Sequence, residues 1–230
     1  MRLRITSTGN AGVFLENDGG SIYIDSFFRG IPGVGGGPHL RGAEARQADL
    51  ILVTHSHYDH LHPEETRDAA LASGATVAGP ASAIELLTHL LPAERLVTLE
   101  SPERKKPPTS AMANIGGISI TSFRTYHGRG HNSYLIEMGG VRIYHDADNE
   151  RTQPLDLRVI GRVDALLLCP WAGSGAGAFV EALDPVRWFL IHMTDEEIDQ
   201  HLAGGFLPAL ISPVPPGVIA LRGGESFEMD

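Results

Sequence analysis

Apolar positions along this chain fall into short runs that alternate with helix-like stretches. Residues 2–7, 13–16 and 21–25 read as strands, separated by the turn formers Gly-Asn-Ala-Gly and Asn-Asp-Gly-Gly, which predicts an N-terminal meander. Leu50–Val53 is a continuous apolar run of strand length, the pattern of a strand buried on both faces. Pro63, followed by Glu64 and Glu65, opens a helix over 64–73 that Gly74 stops. A second helix is expected at 81–91, stopped by Pro92, with Ile84, Leu87 and Leu91 on one stripe beside Leu86 and Leu90. Val77 and Leu96–Leu99 read as short strands between and after these helices.

The second half repeats the pattern. Ile118–Phe123 alternates as a strand, and Ser133–Met138, a Gly-Gly turn and Val141–Tyr144 form a β-hairpin. Asp164–Cys169 is another buried strand, 178–183 is helical and Trp188–Ile191 is a strand. A helix is expected over 194–202, with Thr194 as N-cap and Glu197 completing a capping box. There is no solenoid repeat, but the two βαβα-like halves suggest pseudo-symmetry in an α/β fold. The glycine-rich segment 29–42 is a loop and not a phosphate-binding one, since no Lys-Ser/Thr follows its glycines. Residues 101–110 form an exposed polar loop. The loops at 30–37 and 172–177 are candidate lids over a site.

Composition narrows the class. At 230 residues the chain fits one domain over 1–230. A formal charge of −10 argues against binding along a nucleic-acid backbone. The lone Cys169 excludes an internal disulfide and fits a reducing compartment. The N-terminus lacks the apolar core of a signal peptide, and no apolar run is long enough for a membrane span, so a cytoplasmic location is expected.

The chemistry concentrates just after Leu50–Val53, in His55-Ser-His-Tyr-Asp59-His60. In an extended segment residues two apart point the same way, so His55 and His57 can grip one ion. As the chain turns, Asp59 and His60 can face a second. Imidazoles with carboxylates suit zinc, manganese or iron, and a mixed set suits catalysis better than a closed thiolate cage. Three later candidates also follow strands: His127 after Ser122–Tyr126, Asp148 after the strand ending at Tyr144–Ala147, and His192 after Trp188–Ile191.

His55-Ser-His-Tyr-Asp59-His60 resembles the HxHxDH signature of the metallo-β-lactamase superfamily. The resemblance implies an αββα four-layer sandwich of two mixed β-sheets flanked by helices, with a metal site, often dinuclear, at one edge of the sheets. Ile143–Asp148 resembles the HxGD segment whose Asp bridges the metals, with Ala147 in place of the usual Gly and Asp146 as the rival carboxylate. Leu190-Ile-His192 resembles the last histidine segment. Tyr126–Tyr134 offers His127 and His131 as the third histidine; His127 is favoured, and His131 is then left to contact substrate or stabilise an oxyanion. An Asp at the position of Asp25 commonly supports the metal loop in this family; the alternative is a plain strand-end cap.

The implied site places His55, His57 and His127 on one ion, Asp59, His60 and His192 on another, and Asp148 between them. Two divalent cations are expected, zinc or manganese, with iron as the alternative. They would activate a water that cleaves a lactone, ester or phosphodiester of a small molecule, with Asp59 orienting that water and taking up its proton. His131, Arg129, Tyr58 and Arg29 are candidate electrophilic helpers. Residues 126–148 and the motif order look closest to the group that includes L-ascorbate-6-phosphate lactonase and N-acyl-phosphatidylethanolamine phospholipase D. The competing readings are a nuclease or RNA-processing enzyme of the same superfamily, an iron-dependent redox member, and a non-catalytic metal-binding scaffold. A homo-oligomer is compatible with each.

Overall fold

The computed structural model describes residues 2–29, 39–100, 109–128, 130–171 and 175–230. Its N-terminal meander is β1 (Leu3–Gly9), β2 (Gly12–Asn17) and β3 (Gly20–Ile24), and β4 (Leu50–Leu52), β5 (Thr76–Gly79) and β6 (Leu96–Thr98) extend that sheet in parallel. A second sheet follows the same plan. β7 (Thr109–Ile115), β8 (Ile118–Arg124), β9 (Asn132–Met138) and β10 (Val141–His145) are antiparallel neighbours, and β11 (Ala165–Leu168), β12 (Arg187–Leu190) and β13 (Val218–Ala220) continue in parallel. β14 (Ser226–Met229) returns to pair with β1, as β7 pairs with β8, so among the described residues each sheet has seven strands in matching order. The pseudo-symmetry expected from the two halves is present in this topology.

Period-two alternation explains the layers. Val13 and Leu15 of β2 face the second sheet, where Ile5, Ile22, Ile24, Leu50 and Leu52 meet Ile120, Tyr134, Ile136, Ile143 and Leu167. Phe14, between them, faces the other way, with Tyr23, Ile51 and Val77, under α1 (Pro63–Ser73) and the single turn α2 (Ala81–Ile84). On the far side, α3 (Leu157–Ile160), α4 (Ala176–Leu183), α5 (Asp195–Leu202) and α6 (Leu207–Leu210) cover Leu166, Leu168, Trp188 and Leu190. Each fully buried aliphatic or aromatic side chain contributes roughly 1.5–3 kcal/mol. The result is the expected α/β, αββα sandwich of two mixed sheets.

Several elements differ from expectation. The helix expected over 81–91 is α2 followed by a 3-10 turn at Glu85–Leu87. Ile84, Leu87 and Leu91 are buried as the stripe predicts, but the Thr88 hydroxyl donates to the Glu85 carbonyl at 3.0 Å, and Leu90 and Leu91 both bond the Leu87 carbonyl, which tightens and ends the turn. β7, β13 and β14 are sheet-edge strands that the sequence pattern does not predict, and β13 and β14 are only three and four residues long. Met112 in β7 is 74% exposed. Residues 101–108 of the expected polar loop, Arg129, residues 30–38 of the first glycine-rich loop and 172–174 of the second lie outside the described residues, while Thr109 and Ser110 begin β7 and Ala176 and Gly177 begin α4. Among the described residues, no helix is long and apolar enough to cross a membrane.

The sheets are also fastened at the rim that carries the histidine motif. The Tyr134 hydroxyl donates to the Val53 carbonyl (2.6 Å), the Asn132 amide to the Thr54 carbonyl (2.9 Å), and the Asn132 side chain to the Leu99 carbonyl (2.6 Å). The second sheet thereby fixes where the chain leaves β4, and so where the motif begins.

Candidate metal centre

Beyond β4 the chain stays extended through Thr54 and His55, then turns where the His60 and Leu61 amides donate to the His57 carbonyl at 3.0 and 2.9 Å. The extended part places the His55 and His57 rings 4.4 Å apart, and the turn brings Asp59 and His60 back to the same cluster. Pro63 then opens α1.

The imidazole orientations follow from the groups behind them. Asp25 holds a left-handed backbone (φ 45°) that puts its carboxylate under the loop. That carboxylate accepts from the Thr54 amide (2.8 Å), the Thr54 hydroxyl (2.6 Å) and His60 Nδ1 (2.8 Å). Having donated to Asp25, the Thr54 hydroxyl can only accept from His55 Nδ1, 2.9 Å away. His127 Nδ1 meets the Glu150 carboxylate at 3.1 Å. In each of these rings the anchored Nδ1 keeps its proton and Nε2 points inward, the orientation that metal-ligating histidines take from a hydrogen-bonded partner. Of the two readings of Asp25, its contacts are those of a support for the metal loop.

Six of these side chains form two trios whose ligand atoms lie within 4.8 Å of one another: His55, His57 and His127, and Asp59, His60 and His192. Asp148 joins them. Its Oδ2 lies 3.9 and 3.7 Å from Nε2 of His55 and His127, and 3.1 and 3.4 Å from Nε2 of His60 and His192. Asp59 Oδ2 is 3.3 Å from His192 Nε2. His57 Nδ1 faces His127 Nε2 at 3.2 Å. Two bare nitrogens at that distance need a proton or a cation between them.

The donor set fits metal ions. Nε2 of His55 and Oδ1 of Asp148 are buried without a hydrogen-bond partner among the described residues, although such groups are normally satisfied, and the buried Nε2 atoms of His60 and His192 face the carboxylates of Asp148 (3.1 Å) and Asp59 (3.3 Å). These atoms belong to one cluster of imidazoles and carboxylates, a combination suited to zinc, manganese or iron.

Electrostatics point the same way. Burial, then the neighbouring His60 and His131 rings, keeps His55 neutral. Burial opposes a charge on His60 as well, but Asp25 and Asp148 on either side overcome it and raise its pKa to about 10. Burial would raise Asp148, yet the bond from His60 and the surrounding imidazoles hold it well below the ordinary carboxylate range. His60 is therefore protonated at neutral pH in the metal-free chain, and a cation must displace that proton. Affinity should rise with pH up to about pH 10, by about tenfold per unit for each proton released. Calorimetric titration with Zn2+ in buffers of different ionisation enthalpy checks this, and release of no proton at pH 7 would contradict it.

One expectation changes. His131 is only 1% exposed; its Nδ1 meets the Thr125 hydroxyl at 2.8 Å and its Nε2 accepts from the Asp148 amide at 3.1 Å. With both nitrogens engaged it has no N–H for an oxyanion, and instead it fixes the backbone of Asp148. Asp146 is fully buried, accepts from the Asn149 amide at 3.1 Å, and lies outside both trios; burial raises its pKa to about 7. Ala147, where the resembled segment has Gly, takes φ 54°, the left-handed region glycine enters without strain. Of the proposed helpers, Tyr58 is exposed and Arg29 lies 3.9 Å from Glu65. The sequence pattern points to neither Thr54 nor Glu150 as a site residue. Thr54 directly precedes the motif, whereas nothing local marks Glu150, which meets His127 only in the fold.

Two mixed sheets with an imidazole- and carboxylate-lined centre on their shared rim define a metallo-β-lactamase-fold protein. The metallo-beta-lactamase fold protein YhfI from Bacillus subtilis is similar in structure, with a TM-score of 0.68 over 99% of each chain at 15% identity. A family model described as "Beta-lactamase superfamily domain" matches residues 4–187, a stretch that ends before His192. A UPF0173 metal-dependent hydrolase from Heliobacterium modesticaldum is 30% identical over 72% of this chain and 70% of its own length. Another from Pyrococcus furiosus is 26% identical over 99% of this chain and 100% of its own. The chain belongs to the metallo-β-lactamase superfamily and, within it, to the UPF0173 metal-dependent hydrolases.

Proposed function

We propose that this chain hydrolyses a lactone, ester or phosphodiester bond of a small molecule with two divalent cations, zinc or manganese. His55, His57 and His127 would hold one and Asp59, His60 and His192 the other, with Asp148 bridging them. The observation that carries the reading is the pair of ligand trios whose side chains converge on one carboxylate, with Nε2 of His55, His60 and His192 buried among them. Cations bound there would supply a water acidic enough to ionise near neutral pH and a Lewis acid for the substrate oxygen.

The chain's own residues then have separate tasks. Asp25, Thr54 and Glu150 fix the tautomers of His60, His55 and His127, and His131 fixes the Asp148 backbone. The Asp59 side chain, 24% exposed, stands on the open side of the second trio. Burial opposes its ionisation, but the bond from His192 and the nearby His60 hold its pKa below the ordinary value, so it is an anion that accepts a hydrogen bond from the attacking water. The exposed Trp171 donates its indole N–H to the His192 carbonyl (3.1 Å) and lies edge-on to Phe206. A ring fixed beside the site favours an organic substrate with an apolar part. The likeness of residues 126–148 to the lactonase group puts lactones first among substrates to try.

The test is turnover of dihydrocoumarin, p-nitrophenyl acetate and bis(p-nitrophenyl) phosphate by zinc- or manganese-loaded protein. At least one should be hydrolysed, with activity lost to a chelator, and Asp59→Asn should lower kcat by about 10²–10⁴-fold. Protein that holds two equivalents of metal and hydrolyses none of them would contradict the reading.

A further inference from the structure

The turn between β1 and β2 reaches the centre through one residue. Asn10 is itself in the left-handed region, at φ 49°. This conformation turns its carbonyl toward the second sheet, where it accepts from the His192 amide at 2.9 Å, and Asn10 forms an isolated antiparallel bridge with Met193. Its side-chain amide points the other way and donates to the Asp59 carbonyl at 3.0 Å. His192 needs such an anchor, because its own backbone sits at φ 61°, a conformation that costs a non-glycine residue of this kind about 1–3 kcal/mol unless its surroundings impose it.

We propose that Asn10 is a positioning residue for the second metal site, clipping Asp59 from the first sheet to His192 from the second. The proposal rests on the metal reading above. Asp59 and His192 reach the site from different sheets, and their side chains meet at 3.3 Å. Asn10 is bonded to the main chain of both, so it sets the spacing of two of the three ligands in that trio. Neither of these two bonds of Asn10 goes to His55, His57 or His127. Asparagine suits the position for two reasons: it tolerates the left-handed region better than most residues, and its amide supplies the donor that glycine lacks.

The test is competitive Zn2+ titration against a chromophoric chelator for wild type, Asn10→Gly and Asn10→Asp, with thermal unfolding of each in parallel. Asn10→Gly keeps the backbone conformation and the carbonyl and removes only the amide. It should weaken the second equivalent of Zn2+ by about tenfold, the lower end of what losing a supporting contact costs, and leave the first unchanged. Asn10→Asp sets a carboxylate oxygen against the Asp59 carbonyl and should weaken the second equivalent at least as much. A purely structural turn would lower the unfolding temperature without separating the two affinities. Unchanged affinities in Asn10→Gly, or equal losses at both sites, would overturn the proposal and leave the metal reading standing. Failure of wild type to bind two equivalents would overturn both.

Discussion

Asp148→Ala is expected to lose both metal ions and, with them, hydrolysis. One oxygen of this carboxylate lies within 3.1–3.9 Å of four imidazole nitrogens, two from each trio. Without it each trio loses its shared anion, and the cationic centres would face one another with less charge between them. Removing a residue that merely supports a ligand costs about 10–100-fold in metal affinity, so loss of the bridging ligand should cost on the order of 10²-fold or more at both sites. Asp148→Asn, of nearly the same shape, separates charge from packing and should behave like the alanine variant. Metal content after dialysis, with circular dichroism to confirm folding, checks this. A folded Asp148→Ala protein that retains two equivalents would show that Asp148 does not bridge.

Asp25→Ala should produce the largest loss of stability in the metal-free protein. The side chain is 1% exposed and accepts three hydrogen bonds, from the Thr54 amide, the Thr54 hydroxyl and His60 Nδ1. Alanine leaves those donors unpaired, one of them a buried imidazolium that has lost a counter-charge. Breaking a buried charged pair from one side typically costs about 3–5 kcal/mol. The sign with pH follows from His60. Its folded pKa is raised, so the stability it gains from Asp25 is present below its ordinary value near 6.5 and is lost as pH rises through about 10. The gap between wild type and Asp25→Ala should therefore be widest below about pH 6.5 and narrow above it. Urea unfolding across pH measures this, and a gap below about 1 kcal/mol at pH 6 would mean that Asp25 does not hold the loop.

Those two residues show what the sequence makes legible. His55, His57, Asp59 and His60 stand out because a local spacing on a strand-to-turn segment carries its own geometry. His127, Asp148 and His192 could be placed because each follows a strand, and strand ends meet on the rim of a sandwich. His131 resisted, because distance along the chain does not tell whether an imidazole faces the mouth or turns inward to the Asp148 amide. Glu150 and Asn10 were silent for a related reason: their partners lie far off in sequence, and their contacts exist only after the sheets close. In the fold, interior strands rich in apolar residues such as β8 and β9 are legible, whereas the edge strands β7 and β14 are not, since a polar or very short edge strand looks like a loop.

The measurement that tests the central claim most directly is anomalous X-ray scattering at the zinc edge from crystals of the zinc-loaded protein. Two peaks about 3.5–4 Å apart are expected, one among His55, His57 and His127, the other among Asp59, His60 and His192, with Asp148 between them. A single peak, or peaks away from these residues, would contradict the dinuclear account.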